Sequence, residues 1–512
     1  MATAPRFDPP EQINIADWFL GDRLAEGGGD RVALRTDDGT LTYAEVDRLA
    51  NRTGSALRAM GVRQEERVLV ALPDSPAYVA ALFGALKIGA VVVMVNPDLP
   101  VDNLAGIVGY SRAPVVLTSP SAAEVFEAAA SSAGRPLQVV AVEGDALEGD
   151  ESLDTVATHR DDPAIWLFSG GTTGRPKAVV QTHRSFANTT ELYAKGAMGY
   201  GPDDITISVP KLYFGYATGS NLFFPFSVGG SAVLFPERPT PDGLFKRIAR
   251  HRATILINVP KLIKEMVDYP GAGRADLSSL RFATSAGEAL PPALYQRWKD
   301  AFGVELLDGL GTAEMWHVFL TNTLGDVRPG SLGKPVPGFD VRVRDADGND
   351  LGDDEVGRLW VRGDSRAICY WQDMPKSAEA FRGEWFAAGD LVRRDADGYI
   401  HYVGRGDDAM KVGGKWLLPA EVESCLLDHP RVSEAAVVGV PDRDGLTKPV
   451  AFVVAHAEPE DDLEARLIEH VLERLEPYKR PRAVVVADAL PRTHLGKVNR
   501  AALRDQGREA LT

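Results

Sequence analysis

A glycine- and threonine-rich segment ending in lysine is the part of the sequence that most clearly suggests chemistry. It runs Ser169-Gly170-Gly171-Thr172-Thr173-Gly174-Arg175-Pro176-Lys177 and follows the apolar stretch Ile165 to Phe168. Glycines let backbone N–H groups approach an anion, threonines add hydroxyl donors and the lysine adds a positive charge. The spacing is not that of a Walker A loop, because Ala178 follows Lys177 where Ser or Thr is required. We call this segment the phosphate loop. A flexible turn is the commoner explanation of a glycine-rich segment taken alone.

Four further motifs follow the phosphate loop along the chain. They are Gly309-Leu310-Gly311-Thr312-Ala313-Glu314, Trp385-Phe386-Ala387-Ala388-Gly389-Asp390, Gly404-Arg405-Gly406-Asp407-Asp408 and Pro491-Arg492-Thr493-His494-Leu495-Gly496-Lys497. In this order the five motifs resemble those of the adenylate-forming superfamily, which includes acyl-CoA synthetases, adenylation domains and beetle luciferases. Agreement of five ordered motifs by chance is negligible, so the chain is identified as a member of this superfamily.

The resemblance implies an enzyme that joins a carboxylic acid to ATP as an acyl-adenylate and then passes the acyl group to coenzyme A. Attack of a carboxylate on the α-phosphate brings two anions together, so the site must neutralise charge. By resemblance, the phosphate loop holds the β- and γ-phosphates, Thr312 contacts the α-phosphate and Glu314 helps to hold Mg²⁺, which suits carboxylate and phosphate oxygens. Taken alone, Glu314 is more simply a helix first-turn residue that complements the helix dipole.

The nucleotide-binding residues implied by the resemblance come from all five motifs and from the segment Ser285 to Glu288. Asp390 and Arg405 are expected at the ribose, and the segments around Gly287 and Asp308 at the adenine. The complete expected set is Ser169, Gly170, Gly171, Thr172, Thr173, Gly174, Lys177, Gly287, Glu288, Asp308, Gly309, Leu310, Gly311, Thr312, Asp390, Arg405 and Lys497.

The C-terminal motifs imply two successive arrangements of one scaffold. Lys497 is expected to reach the α-phosphate and the carboxylate during adenylation, although a solvated lysine in a turn is the alternative. Asp407 stands at the hinge position of the superfamily, about which the small domain rotates. The glycine pair Gly413-Gly414 is then expected to line the path of the coenzyme A thiol, since glycine permits close approach; an ordinary β-turn is the alternative.

Three parts of the chain resemble the benzoate-CoA ligase branch. These are the opening from Asn14 to Arg31, the stretch that begins with Lys211 to Tyr216 and ends in Gly219 to Asn221, and the run Glu314 to Phe319. Small residues and an aromatic wall form a flat, apolar slot suited to a ring. His317 is expected either to hydrogen-bond the carboxylate or a ring substituent, or to pack in the core with a backbone partner. The acid-binding residues implied by this resemblance are Tyr213, Gly215, Tyr216, Gly311, His317 and Val318.

Several residues depart from that branch. Gly215 replaces the usual alanine, which we expect to enlarge the slot slightly, Trp316 is bulkier than the expected aliphatic residue, and Ala217 and Thr218 also differ. Benzoate, a substituted benzoate, a heteroaryl acid and an alicyclic acid therefore all remain open. An amino acid is disfavoured because Gly215 offers no carboxylate to pair with a buried ammonium.

Three other functions are alternatives to coenzyme A ligation. A stand-alone enzyme that loads a carrier protein would share every motif. A regulator that has lost catalysis is disfavoured because Lys497 and Glu314 are both present. A luciferase-like oxygenase is compatible with the fold, since fold alone does not fix function, but nothing in the sequence supports it.

The length of 512 residues exceeds one compact core, so two or more domains are expected. Strand, helix and strand patterns from Val68 to Val95 predict a βαβ unit and a mostly parallel sheet. We expect an α/β fold: a large domain, residues 1–406, with two βαβ-type sheets and a small β-barrel-like region, followed by a small, mobile α+β domain, residues 407–512. The turn dipeptides Asp347-Gly348 and Asp397-Gly398 predict short antiparallel strands before the small domain.

Charge and cysteine content exclude other classes. The net charge of -16 disfavours nucleic acid or an anionic membrane as a bulk partner. Cys369 and Cys425 are too few for a disulfide framework or a four-thiolate zinc site. Met1 to Gln12 lacks the apolar core of a signal peptide, and no apolar run is long enough to span a bilayer. We expect a cytoplasmic protein without membrane insertion; a homodimer is compatible with the sequence.

Overall fold

The computed structural model describes residues 7–169, 177–412, 415–443, 445–456, 462–492, 498–508 and 510. Residues 170–176 of the phosphate loop, Gly413, Gly414 and the segment 493–497 with Lys497 lie outside these ranges. The described residues form two compact units. The first contains residues 7–169, 177–341 and 361–386, and the second contains 342–360 and the described residues from 387 onwards.

A nine-stranded sheet forms one half of the first unit. Its central strands are parallel, and antiparallel strands close both edges. Apolar residues on the central strands are buried, as expected for a parallel sheet covered on both faces. In spatial order the strands are Lys334–Pro335, Val318–Thr321, Leu306–Gly311, Phe282–Ser285, Ile255–Asn258, Ile205–Ser208, Ser231–Val233, Val32–Arg35 and Thr40–Thr42.

A seven-stranded sheet forms the other half. In spatial order its strands are Cys369–Tyr370, Lys177–Thr182, Pro163–Ser169, Val91–Met94, Arg67–Ala71, Val115–Thr118 and Gln138–Ala141. Arg67–Ala71 and Val91–Met94 are adjacent and parallel, and helix Pro76–Lys87 connects them. The predicted βαβ unit is therefore confirmed.

Helices surround both sheets. Helix Tyr43–Ala59 begins with a capping box: Oγ1 of Thr42 accepts from the Glu45 N–H, and the Thr42 N–H donates to the Glu45 carboxylate. The α-helices of this unit are Asp22–Ala25, Tyr43–Ala59, Pro76–Lys87, Val101–Ser111, Ala123–Ala133, His183–Thr189, Gly215–Thr218, Phe224–Ser227, Pro241–His251, Pro260–Asp268, Pro292–Phe302 and Met374–Ala380. Short π-helices span Asp17–Gly21, Thr190–Ala197 and Gly219–Phe223, and 3₁₀ turns span Pro120–Ala122, Ala272–Arg274 and Ala313–Met315.

Short antiparallel strands follow, as predicted. Trp385–Arg394 pairs with Ile400–Arg405, and Gly398 takes the positive φ of 85° that the predicted Asp-Gly turn requires. The other strands of this region are Asp340–Arg344, Val356–Arg362 and Phe381–Arg382.

The C-terminal part of the second unit is α+β, as expected. Val432–Pro441 and Thr447–Ala455 pair antiparallel, and Ala483–Val486 adds a parallel strand. Helices Pro419–Leu427, Leu463–Arg474 and Arg500–Gly507 complete it, with a two-stranded ribbon of Met410–Val412 and Lys415–Leu417 and 3₁₀ turns Gly406–Asp408 and Pro477–Lys479.

Candidate active site

The phosphate loop connects two neighbouring antiparallel strands. Pro163–Ser169 pairs with Lys177–Thr182, and Ser169 lies opposite Lys177 in the register. The sequence pattern indicated the first strand but not the second. A Walker A loop leads from a strand into a helix, whereas the segment that follows this loop is a strand paired with the one before it. The two residues that bound the loop are therefore held side by side.

Polar side chains lie at the carboxyl ends of three parallel strands. Asn258, Ser285 and Asp308 are neighbours in the register of the nine-stranded sheet, and all three are buried. Burial raises the pKa of Asp308 to about 8, and Oδ1 of Asp308 has no hydrogen-bond partner among the described residues. Crevices beyond the carboxyl ends of parallel strands are the usual ligand sites of α/β sheets. A buried acceptor left unpaired there is suited to a ligand N–H donor.

The expected adenine segment follows one of these strands. Gly287 has φ of 93°, and Glu288 is exposed. The positive φ is a conformation that glycine adopts at no steric cost. The chain therefore turns away from strand Phe282–Ser285 directly after Ala286.

A tight turn follows the strand Leu306–Gly311. Oγ1 of Thr312 accepts from the Met315 N–H at 3.3 Å, which leaves the hydroxyl hydrogen able to donate to a phosphate oxygen. Trp316 then has φ of 66° and ψ of -54°, and the His317 N–H donates to the Met315 carbonyl at 2.8 Å. This is a γ-turn with positive φ, a rare and strained conformation. Such strain costs about 1–3 kcal/mol and persists only where packing imposes it.

The packing that imposes this turn is aromatic. The Trp316 ring is 2% exposed, and its centroid lies 4.1 Å from that of Phe186 and 6.0 Å from that of Phe223. The turn places the ring of His317 beside this buried indole, with 6.2 Å between their centroids. Sequence reasoning noted the bulk of Trp316 but had no means of predicting its backbone conformation.

Two glycines of the same motif are required by strand pairing. An ideal Cβ atom at Gly309 would lie 2.6 Å from the Leu320 carbonyl oxygen, and one at Gly311 would lie 2.5 Å from that of His317. Any side chain there would collide with the antiparallel strand Val318–Thr321. These glycines therefore have a packing role irrespective of nucleotide binding.

His317 is buried and neutral. Nε2 lies 3.1 Å from the Tyr216 carbonyl oxygen and 3.1 Å from Oγ of Ser220. Burial lowers the pKa of His317 to about 4. A carbonyl oxygen only accepts, so Nε2 carries the proton, and Nδ1 is an acceptor with no partner among the described residues. Of the two expectations for His317, a backbone partner is present; hydrogen bonding of this neutral Nδ1 to a carboxylate is excluded because both groups are acceptors.

The structure brings most of the expected acid-binding residues together around His317. The hydroxyls of Tyr216 and Thr284 are 2.6 Å apart, and Val318 is buried beside His317. On the Cβ side of Gly215, an ideal methyl would lie 3.3 Å from Leu167 and 3.5 Å from Trp316. The missing methyl therefore does not enlarge the slot on that side, contrary to expectation, because the larger indole occupies the space.

Sequence reasoning missed the residues that hold the segment Lys211 to Tyr216. The Leu212 N–H donates to Oδ1 of buried Asp74 at 2.7 Å, and the hydroxyl of Tyr78 donates to the Leu212 carbonyl at 2.9 Å. Burial raises the pKa of Asp74 to about 6, an effect opposed by the nearby Lys211. Both residues stand at the start of helix Pro76–Lys87, far from Leu212 in sequence, so no local pattern could identify them.

The Glu314 side chain accepts a hydrogen bond that sequence reasoning also missed. The hydroxyl of Tyr370 donates to Oε1 of Glu314 at 2.8 Å. Among the described residues, no three His, Cys, Asp or Glu side chains are close enough together to hold a metal ion. One positioned carboxylate fits Mg²⁺, which usually completes its ligands with water and substrate phosphates.

The expected ribose pair lies in the second unit. Asp390 and Arg405 are opposite each other in paired antiparallel strands, with Nη1 of Arg405 3.5 Å from Oδ1 of Asp390. Asp390 is buried, so its carboxylate is held near a cation and away from bulk water. Asp407 lies in the turn Gly406–Asp408 directly after Arg405.

Family models match both parts of the chain. Residues 22–371 match the AMP-binding enzyme model, and residues 421–497 match the AMP-binding enzyme C-terminal domain. The chain belongs to the AMP-binding enzyme family. The superfamily predicted from the five motifs is thereby confirmed, as is the α/β fold with a smaller α+β part.

Individual members of the family are similar along almost the whole chain. Benzoate-CoA ligase of Thauera aromatica is 40% identical over 98% of this chain and 98% of that protein. The crystal structure of the anthranilate CoA ligase AuaEII in complex with anthranoyl-AMP has a TM-score of 0.91 and 36% identity, covering 98% of this chain and 99% of that one. A benzoate CoA ligase from Burkholderia xenovorans LB400 has a TM-score of 0.88 and 39% identity, covering 96% and 100%.

Within the described ranges, no helix combines the length and the apolar character needed to cross a membrane.

Proposed function

We propose that this chain is an AMP-forming ligase that joins an aromatic or similar cyclic carboxylic acid to coenzyme A. The observation that carries the proposal is the grouping of Asp308, Thr312, Glu314 and His317 along the carboxyl end of one strand and the turn after it. Nucleotide-binding groups and the expected acid slot are thus continuous in one short segment. Similarity to benzoate and anthranilate ligases over nearly the full chain supports the acid class.

In the first half-reaction, a carboxylate oxygen of the acid attacks the α-phosphorus of ATP. The bond from the α-phosphorus to the bridging oxygen breaks, and pyrophosphate leaves. Donors held in place before reaction stabilise the charge that develops there. The Thr312 hydroxyl serves the α-phosphate, and Lys177 at the base of the phosphate loop serves the β- and γ-phosphates, with Lys497 completing the set.

Recognition of the nucleoside uses the remaining polar groups. The unpaired Oδ1 of Asp308 accepts from the adenine amino group, which satisfies a buried acceptor. Asp390 accepts from the ribose hydroxyls and Arg405 donates to them. Glu314 would hold Mg²⁺, which when bound neutralises phosphate charge.

The acid's ring lies against Gly215, Tyr216 and Val318. These residues offer apolar surface and one aromatic face, and neutral His317 adds no charge. The slot therefore favours a flat, uncharged ring and leaves the carboxylate to be recognised by cations and phosphate-site donors.

In the second half-reaction, the thiol of coenzyme A attacks the acyl carbon. The acyl carbon–oxygen bond to phosphate breaks, AMP leaves and the thiol proton passes to solvent. Between the two half-reactions, residues 407–512 rotate about Asp407 relative to residues 1–406. Lys497 then leaves the α-phosphate, and Gly413 and Gly414 line the path of the thiol. A cytoplasmic location and a homodimer stay predictions.

Mass spectrometry of the products tests the proposal. Purified protein receives ATP, Mg²⁺ and a mixed panel of aryl, alicyclic and fatty acids, with and without coenzyme A. We expect aryl-AMP without coenzyme A and aryl-CoA with it. Aryl-AMP that accumulates without becoming a thioester would identify a carrier protein as acceptor, and products from fatty acids alone would contradict the aryl slot.

A further inference from the structure

Tyr370 lies outside the five motifs but contacts residues of two of them. Its hydroxyl donates to Oε1 of Glu314 at 2.8 Å, and Nζ of Lys177 lies 5.5 Å from the centroid of its ring. We propose that Tyr370 is a positioning residue that holds the Glu314 carboxylate and the Lys177 ammonium in the arrangement that binds magnesium-ATP. The inference rests on the proposed function, in which Glu314 and Lys177 serve the metal and the phosphates.

The sheet register places Tyr370 between these two groups. The short strand Cys369–Tyr370 pairs antiparallel with Lys177–Thr182, and Tyr370 lies opposite Val179. Side chains two residues apart on a strand share a face, so Lys177 and Val179 project to the same side as Tyr370. Diagonal neighbours of this kind are within reach of aromatic and long side chains. The ring of Tyr370 therefore lies next to the lysine that ends the phosphate loop.

Tyr370 is itself held firmly. Its N–H donates to Oγ of Ser377 at 3.0 Å, and its ring centroid lies 5.2 Å from that of Phe381. The Ala367 N–H also donates to the Glu314 carbonyl at 2.8 Å. The segment from Ala367 to Tyr370 is thus joined to Glu314 through both backbone and side chain, so the hydroxyl meets the carboxylate at a fixed point.

Burial makes this hydrogen bond effective. Tyr370 is 8% exposed and Glu314 is 9% exposed. Hydrogen bonds to a carboxylate are about twice as strong as those between neutral groups, and low dielectric strengthens them further. A carboxylate has about four lone-pair sites, so one bond to Tyr370 leaves acceptors for a cation. The hydroxyl restricts the rotamers of Glu314, and the ring face attracts the Lys177 ammonium.

Tyr370→Phe separates the hydroxyl from the ring, and the chain offers a matched control one residue away. The hydroxyl of Tyr110 donates to the Trp371 carbonyl. Tyr110→Phe therefore removes a half-buried phenol beside the same strand without touching Glu314. Melting temperatures of both variants establish that the fold is retained.

Calorimetric titration of ATP into the full chain, once with excess Mg²⁺ and once with a chelator, measures binding without catalysis. We expect Mg²⁺ to tighten ATP binding in the wild type, and Tyr370→Phe to reduce that enhancement by about tenfold, the size expected for one charged hydrogen bond. Affinity in chelator is expected to change less than about twofold, because the ring remains beside Lys177. Tyr370→Leu, which also removes the ring, is expected to weaken ATP binding in chelator as well.

Four results separate this proposal from its alternatives. The proposal would be overturned if Mg²⁺ tightened ATP binding as much in Tyr370→Phe as in the wild type. It would also be overturned if Tyr110→Phe reduced this enhancement as much as Tyr370→Phe does. A wild type that binds ATP equally well with and without Mg²⁺ would overturn it too. Magnesium-dependent ATP binding that is lost in Tyr370→Phe, in a protein that activates no acid of the panel, would contradict the proposed ligase chemistry but support the role of Tyr370.

Discussion

Nε2 of His317 donates its proton to the carbonyl oxygen of Tyr216 across 3.1 Å. The carbonyl belongs to a residue whose ring forms part of the expected acid slot, so one contact joins both walls of the slot. Because the carbonyl cannot donate, it selects the tautomer with Nδ1 unprotonated. The imidazole is therefore an acceptor on its other side, which suits a hydroxyl, an amine or a water molecule.

We expect His317 to stay neutral, with the proton on Nε2, at every pH at which the enzyme is folded and active. Burial depresses its pKa from 6.5 to about 4, so it contributes stability that is present above pH 6.5 and is lost as pH falls through about 4. Nitrogen-15 NMR of the ring, assigned by its loss in His317→Asn, reports the tautomer directly. A resonance that titrates near pH 6.5 would contradict the buried hydrogen bond.

Gly219 is expected to be necessary for the position of His317. An ideal Cβ atom at Gly219 would lie 2.6 Å from Cδ2 and 2.8 Å from Nε2 of the imidazole. Gly219→Ala should therefore displace the ring and raise the KM for the acid by about tenfold or more, equivalent to one lost buried contact. The KM for ATP should change little. Gly106→Ala, at a helical glycine with open space, is the control; an equal effect on both substrates would indicate general misfolding.

Gly215 and Trp316 are expected to be energetically coupled. A methyl at Gly215 would press on Leu167 at 3.3 Å and would contact Cζ3 of Trp316 at 3.5 Å. Gly215→Ala should cost about 1 kcal/mol of stability, and less in a Trp316→Phe background. Melting temperatures of the four proteins of the cycle measure the coupling. In the same cycle with the remote, buried Trp298→Phe, the two changes in stability should be additive. Additive changes for Gly215→Ala and Trp316→Phe would mean that the two sites do not touch.

Because of the buried carboxyl group of Asp308, we expect the free energy of unfolding to fall as pH rises. Its pKa is raised by burial from 3.8 to about 8, so between these values the folded chain retains a proton that the unfolded chain loses. Stability therefore falls with increasing pH throughout this window and is constant above it. Without nucleotide, Asp308→Asn should gain in melting temperature relative to the wild type from pH 5 to pH 8. A difference that does not change with pH for Asp308→Asn would show that the carboxyl is ionised in the fold.

Lys497 is expected to serve the first half-reaction only. Removing a positive charge from the α-phosphate should slow adenylation by about 100-fold or more. Lys497→Ala should still form the thioester from synthetic acyl-adenylate and coenzyme A. Single-turnover assays of each half-reaction separate the two steps, with Lys448→Ala as a control from the same domain. Equal loss in both steps would rule out the two-arrangement scheme.

Local sequence patterns sufficed for much of the fold and for the family. The βαβ unit around helix Pro76–Lys87 and the turn at Gly398 depend on residues close together in the chain, and both were predicted correctly. The motifs around Thr312 and Asp390 were identified for the same reason, since each is continuous. Roles assigned to Gly413, Gly414 and Lys497 stay predictions.

Contacts between distant segments required the tertiary structure. Tyr370 reaches Glu314, and Asp74 reaches Leu212, only because particular strands and helices pack in one register. A one-residue change of register would turn each side chain to the opposite face, and no local pattern specifies that choice. The positive φ of Trp316 arises in the same way, because surrounding aromatic rings maintain a conformation that its own residue type disfavours.

The sequence by itself therefore determined the family, the βαβ unit and the motifs that are expected to bind nucleotide, since these depend on short stretches of chain. Only the tertiary structure decided the tautomer of His317, the partner of Glu314 and the space beside Gly215. Each of these depends on a distance between side chains brought together by folding, and such distances are set by packing of the whole core.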